Sequence, residues 1–184
     1  IYTREEPFEV KTFFGDNLLS KEGRMMELHF KDFVLLNIYF PNGGSGEERL
    51  QYKLCFYDEF LKHISGLVEQ GKHVVLCGDV NTALQAIDLA RPKENEKVSG
   101  FLPIERSWMD QLVEAGFVDT FRSAEPETVK YSWWDMKTRA RERNVGWRID
   151  YFFVDQAFLP RVRETEYLND VPGSDHCPVL LKIG

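Results

Sequence analysis

Short apolar runs on either side of a long amphipathic segment are the feature that most limits how this chain can fold. The runs at 33–39, 73–77 and 149–154 are typical of buried strands. Between the first two, residues 47–70 carry apolar side chains at helical spacing, and Gly71 follows as a helix stop signal. Strands that alternate with helices predict an α/β layered domain.

The remaining elements refine this prediction. Residues 24–30 alternate, with apolar side chains on one face, and predict a strand. Because it lies close to 33–39 in sequence, we expect antiparallel pairing, which argues against a purely parallel doubly wound sheet. Three further elements are a helix at 104–115 and strands at 163–167 and 178–183, with 82–101 mostly loop.

Length and composition place the chain among globular proteins. With 184 residues and 43% apolar content, residues 1–184 predict a single domain. No stretch suggests a membrane span or a signal peptide. We interpret Cys55, Cys77 and Cys177 as buried, reduced thiols of a cytoplasmic protein (nuclear if the source is eukaryotic). The net charge of −7 argues against a non-specific nucleic-acid coat, but not against a nuclease whose carboxylates bind a divalent cation.

Polar motifs stand where the apolar runs end or begin. They are Gly78–Asn81, Trp147–Asp150 and Ser174–Pro178. Asp79 and Asn81 are two positions apart, so on extended backbone both side chains face the same side. A carboxylate can orient water and a carboxamide can donate to an anionic oxygen. An ordinary turn at the strand end is the alternative.

Asp150 lies inside an apolar run and therefore requires a partner. His176 is the best candidate, because a carboxylate fixes the tautomer of an imidazole and favours its protonated form. A structural ion pair with Arg148 is the alternative. The other histidines receive no role: His29 is predicted to point outward, and His63 and His73 to lie at element ends.

Aromatic side chains accompany these motifs. Tyr39 ends a buried strand, where its phenol could bind a phosphate or simply reach solvent from the core. Trp133, Trp134 and Trp147 flank the basic run 137–143, a combination suited to nucleic acid. Core tryptophans beside a solvated helix face are the alternative. The basic side chains of the run are Lys137, Arg139, Arg141 and Arg143.

Together these residues resemble the exonuclease III type of abasic-site endonuclease, in the endonuclease/exonuclease/phosphatase superfamily. The resemblance extends over essentially the whole chain. Gly-Asp-x-Asn at 78–81 with Ser-Asp-His at 174–176 is typical of the superfamily. More specific segments point to the DNA-repair branch: Ile87–Leu89, Pro92–Asn95 and Asn144–Phe152.

The resemblance implies a fold and an activity. The fold would be a four-layered α/β sandwich, two mixed β-sheets face to face with helices outside. The reaction would be Mg²⁺-dependent hydrolysis of DNA phosphodiesters (Mn²⁺ could substitute), 5′ to abasic sites and from 3′ ends, with 3′-phosphatase activity. The partner would be double-stranded DNA with abasic sites or 3′ ends, the intact protein would be a monomer, and no membrane would be involved.

Residue by residue, the resemblance implies a catalytic set. Asp79 would orient or deprotonate the attacking water, or protonate the leaving oxygen, and Asn81 would hold the phosphate. Asp150 would orient His176, and His176 would bind the scissile phosphate. Tyr39 would contact the same phosphate.

The resemblance also implies metal and substrate positions. Asp175 would help to hold the metal, directly or through water. Trp133, Trp147 and Ile149 would form the wall of a pocket for the extruded abasic sugar, and Asn42 and Asn95 would contact DNA. Such a pocket would admit a bare sugar and exclude a base, whose flipping costs more.

One departure from the family pattern concerns the start of the chain. The family's first strands carry an Asn and a metal-binding Glu in a Gln-Glu-x-Lys-like motif, and this sequence contains neither. We therefore expect that N-terminal strands are missing, that Mg²⁺ binds weakly and that the chain has little or no activity.

Two other functions stay open at this point. One is a phosphatase of small-molecule or lipid substrates on the same fold, against which the Trp-rich basic segment argues. The other is a non-catalytic DNA-binding fragment. Substitutions in the predicted catalytic site that left activity intact would favour this alternative.

Overall fold

The larger of two β-sheets forms the centre of the molecule. The computed structural model describes residues 1–14 and 21–184. Within these ranges, six strands form this sheet in the order β1-β2-β3-β4-β6-β5. Their bounds are β1 Glu9–Lys11, β2 Met25–His29, β3 Val34–Tyr39, β4 Val74–Asp79, β5 Phe117–Asp119 and β6 Asp150–Asp155.

The pairing of β3 with β4 is parallel, and the other pairings in this sheet are antiparallel. A parallel pair needs a long crossover connection, which helix α1 (Glu47–Glu69) supplies. The helix starts after Gly46, carries acidic side chains in its first turn, and ends just before Gly71, whose φ is 78°. These signals suit the dipole at the start of a helix and the left-handed backbone after its end.

Apolar side chains of α1 cover one face of the sheet. Phe56, Phe60 and Ile64 pack with Leu36 and Phe153 of the strands in a single buried cluster. Helix α3 (Pro103–Glu114) lies beside α1, and the Trp108 ring stacks on Tyr57 with centroids 3.9 Å apart. A four-residue helix, α2 (Pro92–Asn95), precedes it.

The opposite face of the large sheet packs on a second sheet. Its strands, β7 (Val162–Tyr167) and β8 (Val179–Ile183), are antiparallel. Leu181 joins Val75 and Val154 in the apolar cluster between the sheets, and helix α4 (Thr120–Ala124) lies against β6 and β7. The predicted α/β layering is confirmed, but the second sheet is a two-stranded antiparallel pair in the described residues, not a mixed sheet.

Most predicted elements agree with the structure to within one or two residues. The sequence does not predict β1, β5, α2 or α4, because a strand of three residues and a helix of four or five residues are too short to show a periodicity. None of the helices in the described ranges is long and apolar enough to cross a membrane.

Two side-chain predictions are wrong. His29 does not point outward: it is 1% exposed and its Nε2 lies 2.6 Å from Glu27, because the antiparallel partners of β2 cover it. The burial predicted for all three cysteines holds only for Cys177: Cys55 is exposed, since it lies on the outer face of α1, and Cys77 is partly exposed.

Candidate active site

Three side chains meet where adjacent strands of the large sheet end. The register pairs Tyr39 with Asp79, and Asp79 in turn with Asp150. Gly78 makes this close approach possible, because a Cβ at that position would lie 1.9 Å from the carbonyl oxygen of Ile38. The sheet therefore brings together residues 111 positions apart in sequence, from Tyr39 to Asp150.

Asp79 is held by a tight turn. The backbone N–H of Asn81 donates to Oδ1 of Asp79 at 2.7 Å, and the Asn81 side-chain amide donates to Oδ2 at 3.1 Å. Asn81 adopts φ 54°, a left-handed conformation that asparagine tolerates better than most residues. Asn42 in turn donates to Oδ1 of Asn81 at 3.0 Å. The ordinary turn considered as the alternative for Asp79 and Asn81 is therefore present. It does not exclude a functional role, because the same turn orients the Asp79 carboxylate.

Asp150 bonds to His176, not to Arg148. Its Oδ2 lies 2.8 Å from Nδ1 of the ring, a position that directs Nε2 away from the carboxylate. Two further hydrogen bonds fix the backbone of Asp150. Its N–H donates to the Ser132 hydroxyl at 3.0 Å, and its carbonyl oxygen accepts from the Tyr167 hydroxyl at 2.6 Å.

Arg148 belongs instead to a buried ion network. Fully buried, it donates to Asp88 at 2.8 Å and to Asp119 at 2.6 Å. Arg122 adds a second bond to Asp88 at 2.6 Å. This network anchors the backbone just before Asp150. The sequence contains no signal that Asp88 and Asp119, which are far apart along the chain, would meet at Arg148.

The electrostatics of the site separate its two carboxylates. Burial, and after it the charge of Asp150, raise the pKa of Asp79 to about 7, against the opposing effects of the Asn81 N–H and the charges of His176 and Lys53. Burial alone would lower the pKa of His176, but the hydrogen bond and charge of Asp150 outweigh it, so the pKa is raised. The site thus combines an imidazole whose protonated form is favoured with a carboxyl group that titrates near neutrality, a pairing suited to acid–base chemistry.

These groups open onto a cavity of about 550 Å³. Its apolar wall is formed by Trp133, Trp147 and Ile149, the three residues predicted to form a pocket, and by small neighbours including Gly100 and Ala140. The polar predicted residues that line the same cavity are Tyr39, Asn42, Asp79, Asn81, Asn95, Asp175 and His176.

Asp175 occupies the rim nearest to Trp133. Burial alone would raise its pKa, but a hydrogen bond from the Trp133 indole at 3.1 Å and the charge of His176 hold the pKa below its ordinary value. In residues 1–14 and 21–184, no three His, Cys, Asp or Glu side chains converge on a point that could hold a metal ion. Asp175 offers a low-pKa carboxylate to this cavity, and a carboxylate oxygen is a ligand that Mg²⁺ accepts.

The arginines of the basic run differ from one another in exposure and in contacts, whereas the prediction gave them one role. Arg141 does not present a free guanidinium: it stacks on Trp134 and donates to the carbonyls of Ser174, Asn169 and Val171. Because its donors already hold a loop beside the site, we expect Arg141 not to contact DNA, contrary to the prediction from sequence.

The two other predicted arginines of the run, Arg139 and Arg143, are exposed outside the cavity wall. Trp134 is a core residue, 2% exposed. The alternative of core tryptophan is therefore correct for Trp134 and not for Trp133 or Trp147, which line the cavity.

Sequence comparison identifies relatives of this chain. The sequence profile described as "Endonuclease/Exonuclease/phosphatase family" matches residues 1–176. The chain is 41% identical to an exodeoxyribonuclease of Bacillus subtilis, over 100% of this chain and 73% of that protein. It is 42% identical to the DNA repair nuclease APEX1 of Danio rerio, over 97% of this chain and 57% of that protein.

A solved structure agrees with these matches. An AP endonuclease from Archaeoglobus fulgidus superposes with a TM-score of 0.87 at 25% identity, over 97% of this chain and 72% of that one. The chain thus spans between about half and three quarters of the length of these three proteins.

Proposed function

This chain belongs to the endonuclease/exonuclease/phosphatase family, in its exonuclease III and AP endonuclease branch, and from that premise we propose that it hydrolyses DNA phosphodiesters in repair. We include in the proposal cleavage at abasic sites, removal of nucleotides and phosphates from 3′ ends, and dependence on Mg²⁺. One observation carries it: the Asp79 turn and the Asp150–His176 pair open onto the same tryptophan-walled cavity.

The proposed chemistry assigns one task to each polar group. His176, kept protonated by Asp150, binds the non-bridging oxygens on which charge develops. Asp79, with its pKa near 7, exchanges a proton with the attacking water. Asn81, which the resemblance assigns to the phosphate, keeps the Asp79 carboxylate aimed at that water instead, because its side-chain amide donates to Asp79 and to the Phe40 carbonyl. Tyr39 donates its hydroxyl to the phosphate.

Asp175 is the residue that would hold Mg²⁺ through its ionised, accessible carboxylate. When bound, the ion would neutralise part of the phosphate charge. Residues of the chain would still perform the orientation and proton transfer.

The apolar wall supports substrate choice. An abasic nucleotide presents a bare sugar, and the flat rings of Trp133 and Trp147 with Ile149 offer it a dry surface. A nucleotide with a base would have to be unpaired and unstacked before it entered, at a cost of a few kcal/mol.

The test compares substrates on the same preparation. Cleavage rates are measured with Mg²⁺ on a duplex with one abasic site, a recessed 3′ end, a 3′-phosphate and a soluble aryl phosphate. The proposal expects the abasic duplex to be turned over at least tenfold faster than the aryl phosphate. A preference for the aryl phosphate would indicate a small-molecule phosphatase. Binding without turnover, unchanged in Asp150→Asn, would indicate a DNA-binding fragment.

A further inference from the structure

A buried ion pair lies directly behind the candidate active site. Lys53 on α1 and Glu105 on α3 are both 0% exposed, and Nζ lies 2.7 Å from Oε1. Withdrawing two charges from water is costly, and an apolar pair of the same volume is often as stable or more so. Stability alone therefore does not explain well why this pair is present. Its other hydrogen bonds give a better explanation.

Lys53 reaches the turn that holds Asp79. Besides the bond to Glu105, Nζ donates to the backbone carbonyl of Asn81 at 2.8 Å and to the hydroxyl of Thr82 at 2.9 Å. All three donors of the ammonium are used. Because Asn81 binds both carboxylate oxygens of Asp79, a fixed Asn81 backbone also fixes that carboxylate.

Glu105 reaches the cavity wall. Oε1 accepts from the Ser99 hydroxyl at 2.8 Å, and Oε2 accepts the N–H groups of Gly100 at 2.6 Å and of Leu102 at 3.0 Å. Gly100 packs against the ring of Trp147: a Cβ at Gly100 would lie 3.2 Å from it. Glu105 therefore sets the distance between this segment and the tryptophan wall.

We infer that Lys53 and Glu105 are positioning residues for the reaction, a single buried unit that locks the Asp79 turn and the Ser99–Gly100 wall into one relative geometry. The inference rests on the proposed function. Neither side chain touches the cavity, so the pair acts through Asn81 on one side and through Gly100 on the other.

The experiment compares Lys53→Met, Glu105→Gln and the double variant. Lys62→Met and Glu114→Gln, exposed positions on the same two helices, are the controls. For cleavage of an abasic duplex we expect Lys53→Met to lower kcat by about 10- to 100-fold, because small displacements of reacting groups have effects of this size, with KM within about threefold. The kcat of each control variant should stay within about twofold of the wild-type value, because substitutions at exposed positions have small effects.

The double variant separates positioning from stability. Lys53→Met alone leaves the Glu105 carboxylate buried without its partner, whereas the double variant carries no unpaired charge and should recover part of the lost Tm. The kcat should not recover with it, since the Asn81 carbonyl still lacks its donor. Recovery of kcat in step with Tm would overturn the inference.

Amide hydrogen exchange supplies a readout that does not depend on activity. We expect the N–H groups of Asn81 and Gly100 to exchange at least tenfold faster in Lys53→Met and in Glu105→Gln, and unchanged in both controls. Glu105→Gln is close in shape to the native residue and keeps the test available if Lys53→Met fails to fold.

The two proposals fail in different ways. Absence of turnover both by this chain and by a form extended at its N-terminus would refute the proposed function, and the exchange rates would still decide whether the pair holds both segments. Unchanged exchange at Asn81 and Gly100 would overturn the inference whatever the activity.

Discussion

Asp79 and Asp150 occupy directly opposed positions on adjacent antiparallel strands, and the fold keeps their charges apart by giving them different partners. Asp150 bonds to the His176 ring, while Asp79 accepts from the backbone and side chain of Asn81. Two carboxylates at such a position resist simultaneous ionisation. Asp150 therefore favours the protonated form of His176, while the carboxyl group that titrates near neutrality is Asp79.

Asp150→Asn should abolish most of the activity while the fold persists. The amide carries no charge to favour the imidazolium, and we expect kcat on an abasic duplex to fall by about 10²- to 10⁴-fold. Steady-state kinetics measure the loss, and circular dichroism with a thermal melt serves as the control for folding. Activity within threefold of wild type would contradict the assignment of Asp150 as the partner of His176.

The pH profile should show the proton that Asp79 exchanges. Burial and the charge of Asp150 raise the pKa of Asp79 to about 7, so this carboxyl is protonated below neutrality. If it acts as the base, kcat/KM rises with pH through about 7.

The slope of that profile decides the direction of proton transfer. A rate that falls through the same region would assign Asp79 to protonation of the leaving oxygen. In Asp150→Asn the residual activity should show this limb at lower pH, because one of the charges that raise the Asp79 pKa is gone.

Arg139 and Arg143 should contribute to salt-dependent DNA affinity, and Arg141 should not. The first two are exposed, whereas Arg141 is committed to three backbone carbonyls. Neutralising each exposed arginine should reduce the slope of log affinity against log salt by about 1. Arg141→Ala should instead lower Tm. Titrations by fluorescence anisotropy between low and moderate salt measure the slopes, and equal slopes for all three variants would contradict this division.

Glu27 should make folding stability fall in acid. Its side chain is 0% exposed, and although burial alone would raise its pKa, hydrogen bonds with His63 and His29 lower it to about 2. The folded pKa lies below the unfolded value, so the stabilisation is complete above about pH 5 and is lost as pH falls toward 2.

Chemical denaturation at pH 7 and at pH 3 measures this effect. A depression of this size is worth on the order of 2–3 kcal/mol at neutral pH. Glu27→Gln should remove the part of the acid loss that comes from this group, and Glu166→Gln, exposed on β7, should leave it unchanged. An identical pH dependence in Glu27→Gln and wild type would contradict the role of Glu27.

The sheet elements and the two long helices could be predicted from sequence because their signals are local. Alternation in 24–30 and apolar spacing in 47–70 depend on neighbours within a few turns. The cavity residues were named through a resemblance in which Trp133, Trp147 and Ile149 match a pattern. Among the described residues, the positions that sequence reasoning missed are mostly charged side chains buried far from their partners in sequence.

Lys53 illustrates why those positions could not be found. On α1 it follows Tyr52 in an amphipathic helix, where a lysine is expected to face solvent. Its partners lie 28, 29 and 52 positions later, and the packing of α1 against α3 and against the segment that follows β4 brings them within reach. Arg141 is the opposite case, because its exposed arginine neighbours in sequence suggest a free side chain. Its guanidinium instead donates to backbone carbonyls of a loop 28 to 33 residues away.

The sequence by itself determined the layered α/β class, the bounds of its main elements and the residue types available for phosphate chemistry, since these follow from local periodicity and motif. For Asp150 the tertiary structure decided between the two partners that the sequence left open, His176 and Arg148, and it placed Arg148 with Asp88. The tertiary structure alone decided that His29 is buried and that Lys53 stands behind Asp79. Each of these choices depends on which charged groups meet where water is excluded. In that setting an unpaired charge is too costly to remain, and long-range packing selects the partner.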